Sequence, residues 1–271
     1  MNMFEQPNTA LCIVGDRFAG FAAHERVRTL RAFTKAVRDG EYDELAHPLV
    51  IMAGQGIGEY EWEYVHAVLR ARGVWERVLF QDRVPDLVGR GEAHKCRSEN
   101  VLVADLVRID EDEYRASLRL HADNELLLDH QTGQHVQGMV AVEAVRQMFL
   151  AVTERHHASR NPRRYYYFVI DSLATIFENF LFPLDASIHY RVNRADCDDP
   201  ARLGFSVTVD IEQGGRRSSR SEVEFTAFAS ETLHEIEHRR AGRALDHYLV
   251  GSGRGGRDVH PEPAGLLKAK G

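Results

Sequence analysis

The chain has 271 residues, 44% of them hydrophobic and 28% charged, with a net charge of −7. That size and balance suit a soluble globular chain of two domains. They argue against nucleic acid as the main partner, because phosphate recognition needs a positive face. No run approaches the roughly 20 apolar residues of a membrane helix, and the amino terminus lacks a basic-then-apolar signal pattern, so a cytoplasmic chain with no membrane partner is expected. Cys12, Cys96 and Cys197 are odd in number and far apart with no CxxC. They are expected to be reduced, with no disulfide framework and no metal site.

In chain order, the apolar run 10–14 ends at Gly15-Asp16, and residues 19–37 carry Phe21, Val27, Leu30, Phe33 and Val37 at helical spacing. A second strand over 49–53 ends at Gly54-Gln55-Gly56, a second helix over 60–70 carries Trp62, Val65, Val68 and Leu69, and a short run follows at 78–80. Strands alternating with helices predict a small α/β unit, βαβαβ, over residues 1–84. The turn from Gly15 to Gly20 matches neither GxGxxG nor GxxxxGK[ST], so its glycines and those at 54, 56 and 58 read as structural turns rather than a nucleotide site.

Residues 83–98, with Pro85, Gly89, Gly91 and mixed charge, read as a linker. Two strands follow over 101–109 and 114–120, then a polar loop and a long apolar helix, then four strands over 165–174, 185–193, 203–212 and 221–229. Two strands, one helix and a β-meander predict an antiparallel sheet wrapped around a central helix, with 93–230 as the second domain. Residues 231–250 read as a polar helical extension, and 251–271 as a disordered tail.

The densest chemistry lies at the start of the long helix, in Asp129-His130-Gln131-Thr132-Gly133-Gln134-His135-Val136-Gln137-Gly138 and the helix that follows. Met139, Val142, Val145, Met148, Phe149 and Val152 make a buried stripe, and Glu143 sits beside it, where a carboxylate is costly unless paired or used. Arg146 and Gln147, at i+3 and i+4, are its local partners. One reading of Glu143 is therefore an ion pair; the other is an acid or an orienting group for a histidine. His130 and His135 precede a helix amino end, whose free N–H groups favour a developing oxyanion or a carbonyl. An imidazole, a carboxylate and backbone donors together make an acid/base site. His130 reads as the proton carrier, the alternative being a turn histidine bonded to a carbonyl. His135 reads as a contact that holds the loop.

These residues resemble the hotdog fold, and specifically the A-factor synthase (AfsA-type) hotdog family. The resemblance rests on His94-Lys95, Asp129-His130, His135-Val136, Gly138-Met139, Glu143-Ala144 and Arg146-Gln147 and spans roughly 93–229. The chain departs from the family pattern at Gln134, which stands where a second aspartate is usual, and at Gln137, which replaces a proline. It carries one copy of the motif, where signal synthases commonly carry two. The helix is also similar to that of β-hydroxyacyl-carrier-protein dehydratases.

The resemblance implies a hotdog domain acting on acyl thioesters of acyl-carrier protein or coenzyme A, by acyl transfer or dehydration, in γ-butyrolactone-like or other specialised biosynthesis. It implies His130 and Glu143 as the catalytic pair, with His135, Gly138, Met139, Arg146 and Gln147 binding substrate. It further implies no cofactor, and a homodimer formed through the hotdog sheet. The basic run holding Arg160, Arg163 and Arg164 reads as a docking surface for an acidic carrier protein or as a solvated helix end. Two alternatives stay open: a non-catalytic module that binds an acyl chain or butyrolactone, and a thioesterase.

Overall fold

The computed structural model describes residues 10–81, 85–128, 133–160 and 163–254. Its first sheet is parallel, in the order β2-β1-β3-β4, from β1 (Ala10–Val14), β2 (Val27–Thr29), β3 (Leu49–Ala53) and β4 (Val78–Phe80). Helices α1 (Leu30–Asp39) and α2 (Glu59–Arg72) connect the last three strands. The helix expected over 19–37 begins instead at Leu30, and part of its apolar spacing belongs to β2. Val27 to Thr29 pair in parallel with Cys12 to Val14, and Thr29, still extended at φ −71° and ψ 158°, turns its hydroxyl to the Ala32 amide at 3.2 Å. A β-branched residue that finishes a strand thus caps the helix behind it.

The second sheet has six antiparallel strands, β5 (Val103–Arg108), β6 (Glu113–Leu118), β7 (Tyr166–Phe177), β8 (Ser187–Asp196), β9 (Arg202–Gln213) and β10 (Arg216–Ala229), in the order β5-β6-β8-β9-β10-β7. Gly214 and Gly215, both at positive φ, form the two-residue turn between β9 and β10, as the right-handed twist of a hairpin requires. A short helix, α3 (Glu125–Leu128), precedes the loop into α4 (Gly138–His156). Val140, Ala144, Val145, Met148, Phe149 and Val152 of α4 are at most 1% exposed. A helix apolar on nearly every side must be enclosed, and the sheet encloses it. Phe149 stacks on Phe225 at 4.3 Å, and Phe225 on Phe205 at 5.1 Å. The expected wrapped-helix architecture and the preceding α/β unit are both present.

The two units share a core. Alternate side chains of β1 point to opposite faces. Ile13 packs with Phe33, Val37, Val65 and Leu69 of α1 and α2, whereas Cys12 and Val14, with Val27, join the cluster around α4. A parallel sheet needs both faces covered, and here the hotdog unit supplies the second cover. The segment read as a linker is laid on the same core: Val88 N–H donates to Val103 O at 3.0 Å and Ala93 is fully buried.

The glycine turns at the carboxyl ends of β1 and β3 press together, with an added Cβ at Gly15 falling 2.9 Å from Gly56 Cα. Between them Gln55, 1% exposed, donates to Leu118 O at 3.0 Å and Leu184 O at 2.9 Å and accepts from Leu120 N–H at 2.6 Å. Arg119, also buried, donates to the carbonyls of Gly54 and Ile57. The crevice where open α/β sheets take ligands is therefore packed with hydrogen bonds to the second unit. Helix α5 (Ser230–Arg254) runs past Gly251, where the sequence reading starts the tail; residues 255–271 lie outside the described residues.

Candidate active site

Four polar side chains converge near the middle of α4. Glu143 takes a bidentate pair from Arg146, Nε to Oε2 at 2.8 Å and Nη2 to Oε1 at 2.9 Å. Lys95 Nζ reaches Oε1 at 2.6 Å, and Gln147 Nε2 donates to the same oxygen at 3.0 Å. Gln147 is fully buried and ties the cluster to the chain before β5, accepting from Leu102 N–H at 2.7 Å and donating to Asn100 O at 2.8 Å. Burial pushes the Glu143 carboxyl up, but the bonds from Arg146, Lys95 and Gln147 outweigh it and bring its pKa down to about 2. One anion faces two cations, so the cluster is net positive, and each of its three charged side chains is partly exposed.

Two more pairs fasten the same segment to α4. His94 Nε2 lies 2.8 Å from Glu154 Oε1, and Arg155 makes a bidentate contact with Glu92 at 2.7 and 2.8 Å. His94 adopts φ +51°, a left-handed conformation uncommon for a residue with a side chain, where the segment turns toward the helix. The run from Glu92 to Lys95 is thus a charged strap along α4.

Of the residues singled out from sequence, Glu143, Arg146 and Gln147 come together. Gly138 and Met139 open α4, with Met139 58% exposed and Gly138 against the Phe177 ring. His135 is exposed, its ring 4.9 Å from that of Phe180. Gln137, in the place of the usual proline, sends its amide to Leu126 O and anchors the loop to α3. His130 lies outside the described residues. Arg160, Arg163 and Arg164 are exposed and enter no ion pair among the described residues. Lys95 belongs to the family resemblance alone in the sequence; no spacing rule connects it with Glu143, because a tertiary crossing brings them together. A cavity of about 1090 Å³, bordered by Trp62, Phe80, Arg119 and His121, shares no residue with the cluster and holds none of the predicted site residues.

A six-stranded antiparallel sheet around one buried helix, with a paired carboxylate on that helix, defines a hotdog domain with a polar site on its central helix. The model of the A-factor biosynthesis hotdog domain matches residues 79–229, more than half of the chain, and the chain belongs to that family. No curated protein matches it.

Among solved structures it is similar to a conserved protein of Pseudomonas aeruginosa, at 16% identity over 52% of this chain and 100% of that one, with a TM-score of 0.38. A mutant thioesterase of the same organism matches at 13% identity over 54% and 96%, TM-score 0.38. The dehydratase heterocomplex ApeI:P of Xenorhabdus doucetiae matches at 13% identity over 52% and 91%, TM-score 0.41.

Proposed function

We propose that the chain is an enzyme acting on acyl thioesters, carried by acyl-carrier protein or coenzyme A, by acyl transfer or dehydration in γ-butyrolactone-like or other specialised biosynthesis in the cytoplasm. The observation that carries this reading is the net-positive Glu143–Arg146–Lys95–Gln147 cluster on the central helix of a family defined by A-factor biosynthesis. His130, ahead of α4 in the sequence, moves the proton. The first amides of α4, Gly138 among them, receive the thioester oxygen. Glu143, with a pKa of about 2, stays ionised across the working pH range and serves by holding Lys95 and Arg146 rather than by donating a proton.

The homodimer fits the edge strand β7, which pairs only with β10 among the described residues and exposes Tyr167, Ile170, Ile176 and Phe177. The other edge, β5, is bridged by Leu87. Arg160, Arg163 and Arg164 offer an exposed basic surface to an acidic carrier protein.

One observation favours the second reading, a non-catalytic acyl- or butyrolactone-binding module: both Glu143 oxygens are engaged within the protein. Intact-mass spectrometry of acyl-loaded carrier protein after incubation with the chain separates the readings. Loss of water reports dehydration, loss of the acyl group reports hydrolysis, and acyl transfer to an added alcohol reports transferase activity. Retained activity in both His130→Ala and Glu143→Ala would sink the site assignment, and tight acyl binding with no turnover would favour the module.

A further inference from the structure

The chain between β1 and β2 reaches across from the α/β unit to the loop that leads into α4. Gly20 lies so close to that loop that a Cβ built on it would sit 2.5 Å from Gly133 O. The backbone of Gly20, at φ −61° and ψ −37°, is ordinary right-handed helical geometry open to any residue. The need for glycine here is therefore steric and comes only from the approach of the two units.

Two neighbours complete the contact. Phe21 stacks on Phe182 at 5.6 Å, and His24 stands edge-on to Phe21 at 5.4 Å with its Nε2 3.1 Å from Gln134 Oε1. On the far side of the loop, Val136 N–H donates to Leu181 O at 2.7 Å, and His135 rests on Phe180, whose ring is 6.4 Å from Phe182. The contacts close a ring running from His24 through Gln134, His135, Phe180, Phe182 and Phe21 back to His24. The loop 133–137 is clamped between the two units, one turn of chain from the amino end of α4.

We propose that Gly20, Phe21 and His24 of the α/β unit are positioning residues for the α4 site: they fix the loop 133–137 that sets the first turn of α4. The candidate site is then built from both units, and the α/β unit is a working part of it. Gln134 fits this role, since its amide oxygen accepts from a histidine that the α/β unit brings. The inference rests on the reading that acyl thioesters are handled at the amino end of α4, but its structural half can be tested without any turnover.

The test uses the full chain and four variants: Gly20→Ala, His24→Ala, His24→Gln and, as a remote glycine control with open space around it, Gly242→Ala. Two readouts are taken: amide hydrogen exchange over residues 133–140, and turnover of acyl-CoA probes from butyryl to lauroyl. Gly20→Ala is expected to raise exchange in that segment at least tenfold and to lower kcat at least tenfold with KM within threefold. His24→Ala should shift both in the same direction by a smaller factor, and His24→Gln, whose amide can still donate to Gln134, should restore them. Gly242→Ala should leave both within twofold.

Exchange within twofold of wild type in both Gly20→Ala and His24→Ala overturns the proposal. So does faster exchange with unchanged kcat. Should Gly20→Ala fail to fold, the exposed His24 and its rescue decide alone. If wild type turns over none of the probes, the proposed activity fails, and the exchange measurements still decide whether these residues hold the loop.

Discussion

Gln55 is the sharpest test of the claim that the two units share one core. Its side chain makes three buried hydrogen bonds across the junction, two to carbonyls and one from an amide. A buried hydrogen bond contributes about 1 kcal/mol net, and a backbone group left without a partner away from water costs about 1–3 kcal/mol. Gln55→Ala strands two such groups, Leu118 O and Leu120 N–H, while Leu184 O keeps the Gln213 amide at 3.2 Å, so the expected loss is about 2–6 kcal/mol, a large fraction of the roughly 5–15 kcal/mol that keeps a typical protein folded. Urea denaturation measures it well, because both tryptophans, Trp62 and Trp75, lie in the α/β unit. Their fluorescence reports on that unit, while far-UV circular dichroism reports on the whole chain. Wild type should unfold in coincident transitions by both probes, and Gln55→Ala should shift both midpoints down together. Separate transitions, or a loss below about 1 kcal/mol, would refute the shared-core reasoning.

Other consequences are as specific. His157 has both ring nitrogens buried without hydrogen-bond partners among the described residues, and burial, aided by Arg160, lowers its pKa from 6.5 to about 4. The unfolded chain therefore binds a proton that the folded one resists, so stability present above pH 6.5 is lost as the pH falls toward 4, by at most about 3 kcal/mol. His157→Leu should flatten that part of the pH–stability curve; an unchanged slope would remove His157 as its source. Glu143→Gln should leave Lys95 and Arg146 facing each other without their anion and lower stability by about 1–3 kcal/mol, read as a fall in Tm and restored in part by Lys95→Met. Ile176→Arg, at an exposed position of β7, should turn a dimer into a monomer in light scattering without lowering monomer stability; a dimer that persists would move the interface elsewhere. Neutralising Arg160, Arg163 and Arg164 together should weaken carrier-protein binding at low salt, and unchanged affinity would dispose of the docking role.

The local rules carried far along this chain. Apolar periodicity was enough to place α4, because a helix buried on nearly every face leaves a dense stripe whatever surrounds it. Glycine pairs marked the β9–β10 turn, and the i+3 and i+4 spacing of Arg146 and Gln147 placed both beside Glu143. The same periodicity predicts one helix over 19–37, where Val27 serves a strand and Leu30 a helix; the two patterns overlap when a three-residue strand runs directly into a helix. Residues 83–98 looked like a linker because their glycines, proline and mixed charge are also what a surface strap needs.

Spacing within one segment settles the kinds of element, the wrapped central helix and the polar types on it. Tertiary structure alone decided which distant side chains meet. Lys95 reaches Glu143, Gln55 fills the crevice of the parallel sheet, and Gly20 touches Gly133, each across a separation that no local period encodes. The physical reason is that both faces of the first sheet and most of the surface of α4 must leave water. The packing that satisfies both at once presses the α/β unit against the candidate site.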